Sequence, residues 1–396
     1  MDVKLDAKKW RRRRGMAKLL DALAAQEGLT RYVGGAVRDD LLKLPVSNVD
    51  LATRLRPDEV VERLQAAGLK AVPTGFEHGT VTAVSDGHPY EVTTLRRDVE
   101  TFGRHATVAF TDQWEEDAAR RDFTINALMA DPVTGEVFDY FDGLSDLEQR
   151  HVRFIGDPFE RIAEDHLRIL RFFRFHARFG QGAPDEAALE ACTNRANDLM
   201  ALSRERIADE LLKLLSVEDP VATLQVMLDR AILKPVLPEI AASAWEAVAL
   251  LARAENEAGI AAYPLRRLPA LLPRDPQVAG AIASRLKLSN RASKRIVCAA
   301  ETDITDPRAI AYRSGIECAV DRLLLAARAP EAREMLGWNP PKLRVTGGAL
   351  IKRGLKEGPV VSRTLRQIEE RWIEAGFPVG DELESIVADA LAGALR

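Results

Sequence analysis

Hydrophobic and polar positions follow two different periods along this chain, and the change comes near Leu147. Ahead of it, AKLLDALAAQE (residues 17–27) places apolar residues at helical spacing and predicts one amphipathic helix. The next hundred residues alternate with a period of two. HGTVTAV and YEVTTL read as strands joined through Ser85, Asp86 and Gly87, a hairpin turn, and LPVSNVDLAT (residues 44–53) reads as a short strand. DPVTG (residues 131–135) is a further turn between short strands, with VFDYFD following. Beyond Leu147 helical periodicity runs to the C-terminus, interrupted by prolines. RIAEDHLRILRFFRFHARF (residues 161–179) carries Arg161, Glu164, Arg168, Arg171, Arg174 and Arg178 as one polar stripe, with Leu167, Leu170 and Phe173 on a neighbouring line. The pattern predicts an α+β head followed by a long all-α remainder, without internal repeats.

At 396 residues the chain is long enough for two to four domains. Its net charge of −4 does not mark the whole molecule as a polyanion binder. The charge is uneven, however: KKWRRRRG (residues 8–15) and RLKLSNRASKR (residues 285–295) are basic enough to meet RNA phosphates. Either run alone is more simply a solvated surface or a frayed terminus. Cys192, Cys298 and Cys318 are isolated, with neither zinc spacing nor a disulfide framework, which points to a reducing cytoplasm. No apolar run approaches membrane-spanning length, and no signal-peptide core precedes the first helix.

Three segments carry chemistry. On a strand, Asn48 and Asp50 share a face while Val49 and Leu51 turn to the other. Glu91, in YEVTTL, offers a second carboxylate from a neighbouring strand. Acids so arranged suit a divalent cation shared with substrate phosphates, although Glu91 alone is an ordinary solvated strand residue. In YVGGAVRDDLL, Gly34 and Gly35 between strand and helix let backbone N–H groups approach a triphosphate, and Arg38 can bind its oxygens. In the third segment, Asp165 and Arg168 stand three residues apart. A carboxylate only accepts hydrogen bonds and a guanidinium only donates. Cytosine and adenine each present an amino donor beside a ring-nitrogen acceptor, and uracil and guanine present the reverse. The pair therefore suits C and A, and leaves unpaired groups against U and G at about 1–3 kcal/mol each. Glu164 with Arg168 is also an ordinary i,i+4 helix pair.

GGAVRDDLL, NVDLAT, HGTVT, YEVTTLR, RRDFTINAL and EDHLRILRFFRF occur in one order at short spacings. In this the chain resembles the class II CCA-adding tRNA nucleotidyltransferases and their relatives, the bacterial poly(A) polymerases. The resemblance covers residues 30–215 and continues more loosely into VTGGALIKRGLKEGPVVSRTLRQIEERWI. It implies a DNA polymerase β-like nucleotidyltransferase head (residues 1–145), a neck with nucleotide-recognition helices (146–220), a helical body (221–330) and a tail (331–396) contacting tRNA.

It further implies two magnesium ions held by Asp50, Glu91 and residue 48, with Asp165 and Arg168 serving as a protein template for CTP and ATP. Arg121, Asp122 and Asn126 are implied to surround ribose and triphosphate. Arg171 joins them, while Glu164, Glu205 and Arg206 orient the template. The segment LRRDVETFGRHATVAF resembles the loop that switches from CTP to ATP, which favours complete CCA addition to the tRNA 3′ end. Two departures stand out: Asn48 replaces an aspartate, and Ala349 falls where the family has another. Asn48 removes a negative charge from the ion site. It leaves three readings open: an engineered block on turnover, a natural variant with weakened activity, or compensation by Asp39, Asp40 or water. The expected function is template-independent CCA addition. A poly(A) polymerase is the alternative, and a catalytically inactive RNA-binding homologue is the alternative from another class.

Overall fold

The computed structural model describes residues 3–102 and 105–395, which separate into two compact units, Met1–Pro238 and Glu239–Arg396. The first unit holds a seven-stranded sheet among the described residues, in the order β3-β4-β5-β2-β1-β8-β9. Its strands are β1 (Thr30–Val33), β2 (Asp50–Thr53), β3 (Lys70–Gly75), β4 (Thr80–Ser85), β5 (His88–Thr94), β8 (Met129–Ala130) and β9 (Val137–Phe138). A separate ribbon pairs β6 (Arg96–Phe102) with β7 (His105–Phe110). It occupies the segment likened to the CTP-to-ATP loop, whose Gly103 lies outside the described residues.

β1 runs antiparallel to β2, and β2 parallel to β5 with Leu51 beside Val92. Behind the sheet, Val33, Ala52, Leu95, Trp114, Ala118, Ala127, Met129 and Ile155 form a buried cluster. The hairpin signal at residues 85–87 is borne out: Ser85 pairs with His88 around Asp86 (φ 50°) and Gly87 (φ 75°), left-handed conformations that match the twist of the flanking strands. DPVTG likewise turns between β8 and β9.

Beyond β9 the described residues form helices, apart from an isolated bridge between Phe123 and Phe154. Those that shape the site are α1 (Gly35–Leu41), α2 (Pro158–Glu164), α3 (Arg168–Phe179) and α4 (Arg204–Leu215). Phe123, Phe154, Phe172 and Phe175 pack together, with Phe123 4.9 Å from Phe154 and 5.1 Å from Phe175 between ring centres, and tie α3 to the RRDFTINAL segment. In the second unit Glu255, on α5 (Ala244–Ala258), Arg266 and Arg267, on α6 (Pro264–Ala270), Arg295, on α7 (Asn290–Ala300), and Asp321, on α8 (Ile316–Leu325), make a network of ion pairs around the buried acids.

Several expectations are corrected. The helix foreseen over 17–27 is Met16–Ala22, followed by a 3-10 turn at Ala25–Glu27, because Ala24 takes a left-handed conformation. The strand foreseen from Leu44 begins only at Asp50. Ahead of it, the carbonyls of Val46 and Ser47 accept from Arg13 instead of pairing in a ladder. The continuous helix foreseen over 161–179 is two helices. Asp165 is extended (φ −150°, ψ 105°), and its side chain and carbonyl accept the N–H groups of Leu167 and Arg168.

The basic run at residues 8–15 is not a frayed end. It contains the helix Ala7–Arg11, whose Trp10 is buried against Tyr32 with ring centres 4.6 Å apart. Finally, Cys298 and Cys318 are joined as a disulfide between α7 and α8, with Cα atoms 6.0 Å apart. A separation of 20 residues carries no recognisable spacing, so only helix packing reveals the pair.

Candidate active site

The glycine turn forms because β1 must reverse into α1 within two residues. Gly34 adopts φ 70°, and a Cβ there would stand 2.9 Å from Nη1 of Arg121. A cavity of about 420 Å³ opens beside it, lined by Gly34, Gly35, Arg38, Arg120, Arg121, Asp122, Asn126, Asp165, Arg168, Arg171 and Phe175. Nine of the expected nucleotide-site residues therefore line one space, although they come from segments up to 137 positions apart, Gly34 to Arg171. Arg120 and Phe175 join them unforeseen.

Each charged side chain in that lining is held by a neighbour. Arg38 is buried, which lowers its pKa against the pull of Asp39. Its Nε and Nη2 donate to Asp39 Oδ1 at 2.9 and 2.7 Å, and its Nη1 donates to Asn126. The guanidinium expected to grip phosphate is thus largely spent on shaping the turn. Asp122 is buried. Desolvation would raise its carboxyl, but Arg171 and Asn126 outweigh burial and hold it below the usual aspartate value. Arg171 Nε donates to Asp122 at 2.8 Å. Although burial opposes its charge, the contact with Asp122 leaves its pKa above the ordinary arginine value. Arg121 is held by Asp117, which also takes Arg120, while its Nε is buried without a hydrogen-bond partner among the described residues. Sequence reasoning missed Asp117, because an acid in the first turn of a short helix reads as capping.

The break at Asp165 puts that residue and Arg168 at the cavity wall. Arg206, on α4, donates to Asp165 Oδ2 at 2.7 Å. Glu164 pairs with both Arg168 and Arg161, and Arg168 Nη1 also donates to the Arg161 carbonyl at 2.8 Å. Glu205 is exposed in the first turn of α4 and is absent from the cavity lining. Buried Glu210, one turn further on, takes the inward position and accepts Arg174 at 2.6 Å.

A second cavity, of about 300 Å³, is lined by Asn48, Val49, Asp50, Thr82, His88, Pro89, Tyr90 and Glu91. Asn48 precedes β2 rather than lying in it, yet it is exposed while Val49 is buried, so the alternation that brings it beside Asp50 persists. Burial, and then the nearby charge of Glu91, push the Asp50 carboxyl above its ordinary value. Neither acid forms an ion pair among the described residues. Two like charges drawn together without an ion-paired cation, with an amide oxygen alongside, are a donor set that fits a hard divalent ion. No group of three or more His, Cys, Asp or Glu side chains suited to a metal occurs among the described residues. Arg121 links the two cavities: it lines the first and draws down the pKa of Asp50 in the second.

Comparison with known proteins places the chain in a family. Residues 30–153 match the poly A polymerase head domain, and residues 183–243 match the probable RNA and SrmB- binding site of polymerase A. A mitochondrial CCA tRNA nucleotidyltransferase 1 from Mus musculus is 33% identical, covering 94% of this chain and 89% of that protein. A CCA-adding enzyme from Lacticaseibacillus paracasei is also 33% identical, covering 90% of each. The crystal structure of the Bacillus stearothermophilus CCA-adding enzyme in complex with CTP superposes with a TM-score of 0.71 at 28% identity, over 91% of this chain and 93% of that one. At this identity and coverage the chain belongs to the family of CCA-adding tRNA nucleotidyltransferases.

Proposed function

We propose that this chain adds C, C and A in turn to the 3′ end of tRNA, taking CTP and ATP and releasing pyrophosphate. The observation that carries this reading is the single cavity in which Asp165 and Arg168 stand with the Gly34–Gly35 turn, Arg121 and Arg171. An acceptor-and-donor pair for the base and cations for the triphosphate then serve one nucleotide. The buried, unpartnered Nε of Arg121 is a donor with a place for a phosphate oxygen. The base edge contributes selection: the amino group of C or A donates to Asp165, and the ring nitrogen accepts from Arg168.

Asp50 and Glu91, with the Asn48 amide oxygen, would hold the magnesium ions implied by the family. Ions bound there would neutralise charge on the phosphates during in-line displacement. In that displacement the 3′-hydroxyl oxygen of the primer bonds to the α-phosphorus as the bond to the bridging oxygen breaks. The protein's own part is to align nucleotide and primer. An amide at position 48 would weaken the ion site while the binding cavities stay in place, which would slow turnover by the chain with Asn48. The head, neck, body and tail boundaries of the family are proposed for this chain with it, as is a cytoplasmic setting, although the Cys298–Cys318 disulfide removes the argument for a reducing compartment that isolated cysteines gave. Among the described residues no helix is long and apolar enough to cross a membrane.

The test is incorporation on tRNA lacking its terminal CCA, with CTP, ATP or both, for the chain with Asn48 and for Asn48→Asp. Ordered C, C, A addition that rises at least tenfold in Asn48→Asp supports the reading. Repeated A addition from ATP alone would identify a poly(A) polymerase. Tight tRNA binding without incorporation by either protein would identify a non-catalytic RNA binder.

A further inference from the structure

The basic run at residues 8–15 contacts the segments flanking the ion cluster on two sides. Arg13 is half-buried, and its Nη2 and Nη1 donate to the carbonyls of Val46 and Ser47 at 2.6 and 3.2 Å. The Ser47 carbonyl belongs to the peptide unit that leads into Asn48. On the other side, Tyr90, next to Glu91, donates its hydroxyl to the Arg14 carbonyl at 2.6 Å. Ser85 Oγ, on the strand hydrogen-bonded to β5, donates to the Gly15 carbonyl at 2.8 Å. Gly15 allows that approach: it sits at φ 72°, and a Cβ there would meet the Ser85 carbonyl oxygen at 2.6 Å. The run is fixed in turn by buried Trp10 on Tyr32 and by Lys9 paired with Asp40, at the end of α1.

Residues 44–49 have no ladder of their own, so something else must set the height of Asn48 against Asp50 and Glu91. We propose that Arg13 is a positioning residue for the Asn48–Asp50–Glu91 cluster, bracing the segment that carries Asn48 against the strand that carries Glu91. This rests on the reading of that cluster as a divalent-cation site. The physical logic is that of groups behind metal ligands: they touch no ion, yet their loss typically costs about 10–100-fold in affinity because the ligands are no longer held in place. Arginine suits the task because its planar fork spans two successive carbonyls, which a lysine ammonium meets one at a time.

The test compares Arg13→Gln, Arg13→Lys and the neighbouring exposed Arg12→Gln, each made in the chain with Asn48 and in Asn48→Asp. Manganese binding is followed by electron paramagnetic resonance, CTP binding is measured without metal, and amide exchange is followed along the chain. The expected result is at least tenfold weaker manganese binding in Arg13→Gln, partial recovery in Arg13→Lys and none of this loss in Arg12→Gln. CTP affinity without metal is unchanged, and the gain in exchange is confined to residues 44–49. Equal losses in the Arg12 and Arg13 variants would reduce the effect to net charge and overturn the proposal. So would a uniform rise in exchange across the first unit, or manganese affinity unchanged in Arg13→Gln. If neither background binds manganese, the cation reading of the cluster fails. The exchange data then still decide whether Arg13 braces the segment.

Discussion

Nη2 of Arg206 lies 2.7 Å from Oδ2 of Asp165, across 41 residues of sequence, and fixes the acid at the point where the helical run breaks. In the proposed reading Asp165 presents Oδ1, which also accepts the Leu167 N–H, to the base, so the bond to Arg206 helps set its direction. Arg206→Ala leaves that carboxylate held by the Leu167 N–H alone on Oδ1, so it can swing about that bond and away from the base. Both side chains are about a quarter exposed, so solvent softens the loss. The expected outcome is a roughly tenfold fall in the preference for CTP over UTP, at the low end of the cost of an unsatisfied partner, with little change in melting temperature. Single-turnover incorporation of each nucleotide checks it.

The same contact explains why this part of the site was only half readable. The acid–guanidine pair and the glycine turn follow from local chemistry, and both line the cavity. The break at Asp165 does not, because the arginine spacing of three and four continues straight through it and the partner that stabilises the break lies on another helix. The run at residues 8–15 misleads for a related reason: its charges describe a solvated surface, while the burial of Trp10 depends on Tyr32, on a strand elsewhere. Asn48 was legible as an anomaly, but its carrier as a strand was not, since Arg13 competes for the carbonyls. Asp117 gave no signal of its own beside the RRD pattern, and Arg120, inside that pattern, was not singled out from its neighbours.

Asp122 and Arg171 are coupled to folding through pH. The folded carboxyl sits below its usual value, so around that value the unfolded chain binds more protons than the native one. The stabilisation is therefore fully present above the unfolded aspartate pKa of about 3.9, and is lost as pH falls through the folded value. Asp122→Asn leaves half-buried Arg171 facing a neutral partner, with the Glu210 carboxylate 3.9 Å away, at a cost of about 1–3 kcal/mol near neutrality. The gap in unfolding free energy between parent and variant should be flat from about pH 8 to 5 and narrow only below about 4. Denaturant titrations at stepped pH measure it.

In the second unit, Asp321 is shared by Arg266 and Arg295, each donating from Nε at 2.7 Å. The acid is fully buried. Asp321→Asn would leave two guanidiniums competing for one neutral oxygen. A loss of about 3–5 kcal/mol is expected, felt in the second unit. Urea unfolding followed by amide exchange should show residues 239–396 opening at lower denaturant, with the first unit unchanged.

Asp50 and Glu91 repel one another in the folded state, and a bound divalent ion would turn that repulsion into attraction. Because the ion favours the native arrangement, it stabilises by mass action, about 1.4 kcal/mol at ten times its dissociation constant. For a unit of this size that corresponds to a rise of about 3–6 °C in melting temperature. Magnesium should therefore stabilise the first unit and leave the second untouched. Glu91→Gln should abolish the shift, because one carboxylate and two amides no longer compete with water for the ion. Asn48→Asp should act in the opposite sense: lower stability without metal, since a third negative charge joins the cluster, and a larger shift reached at lower magnesium. Melting curves of the three proteins across a magnesium series, read with a probe in residues 1–238, test the sign of both changes. A shift that is the same in all three would place the ion elsewhere.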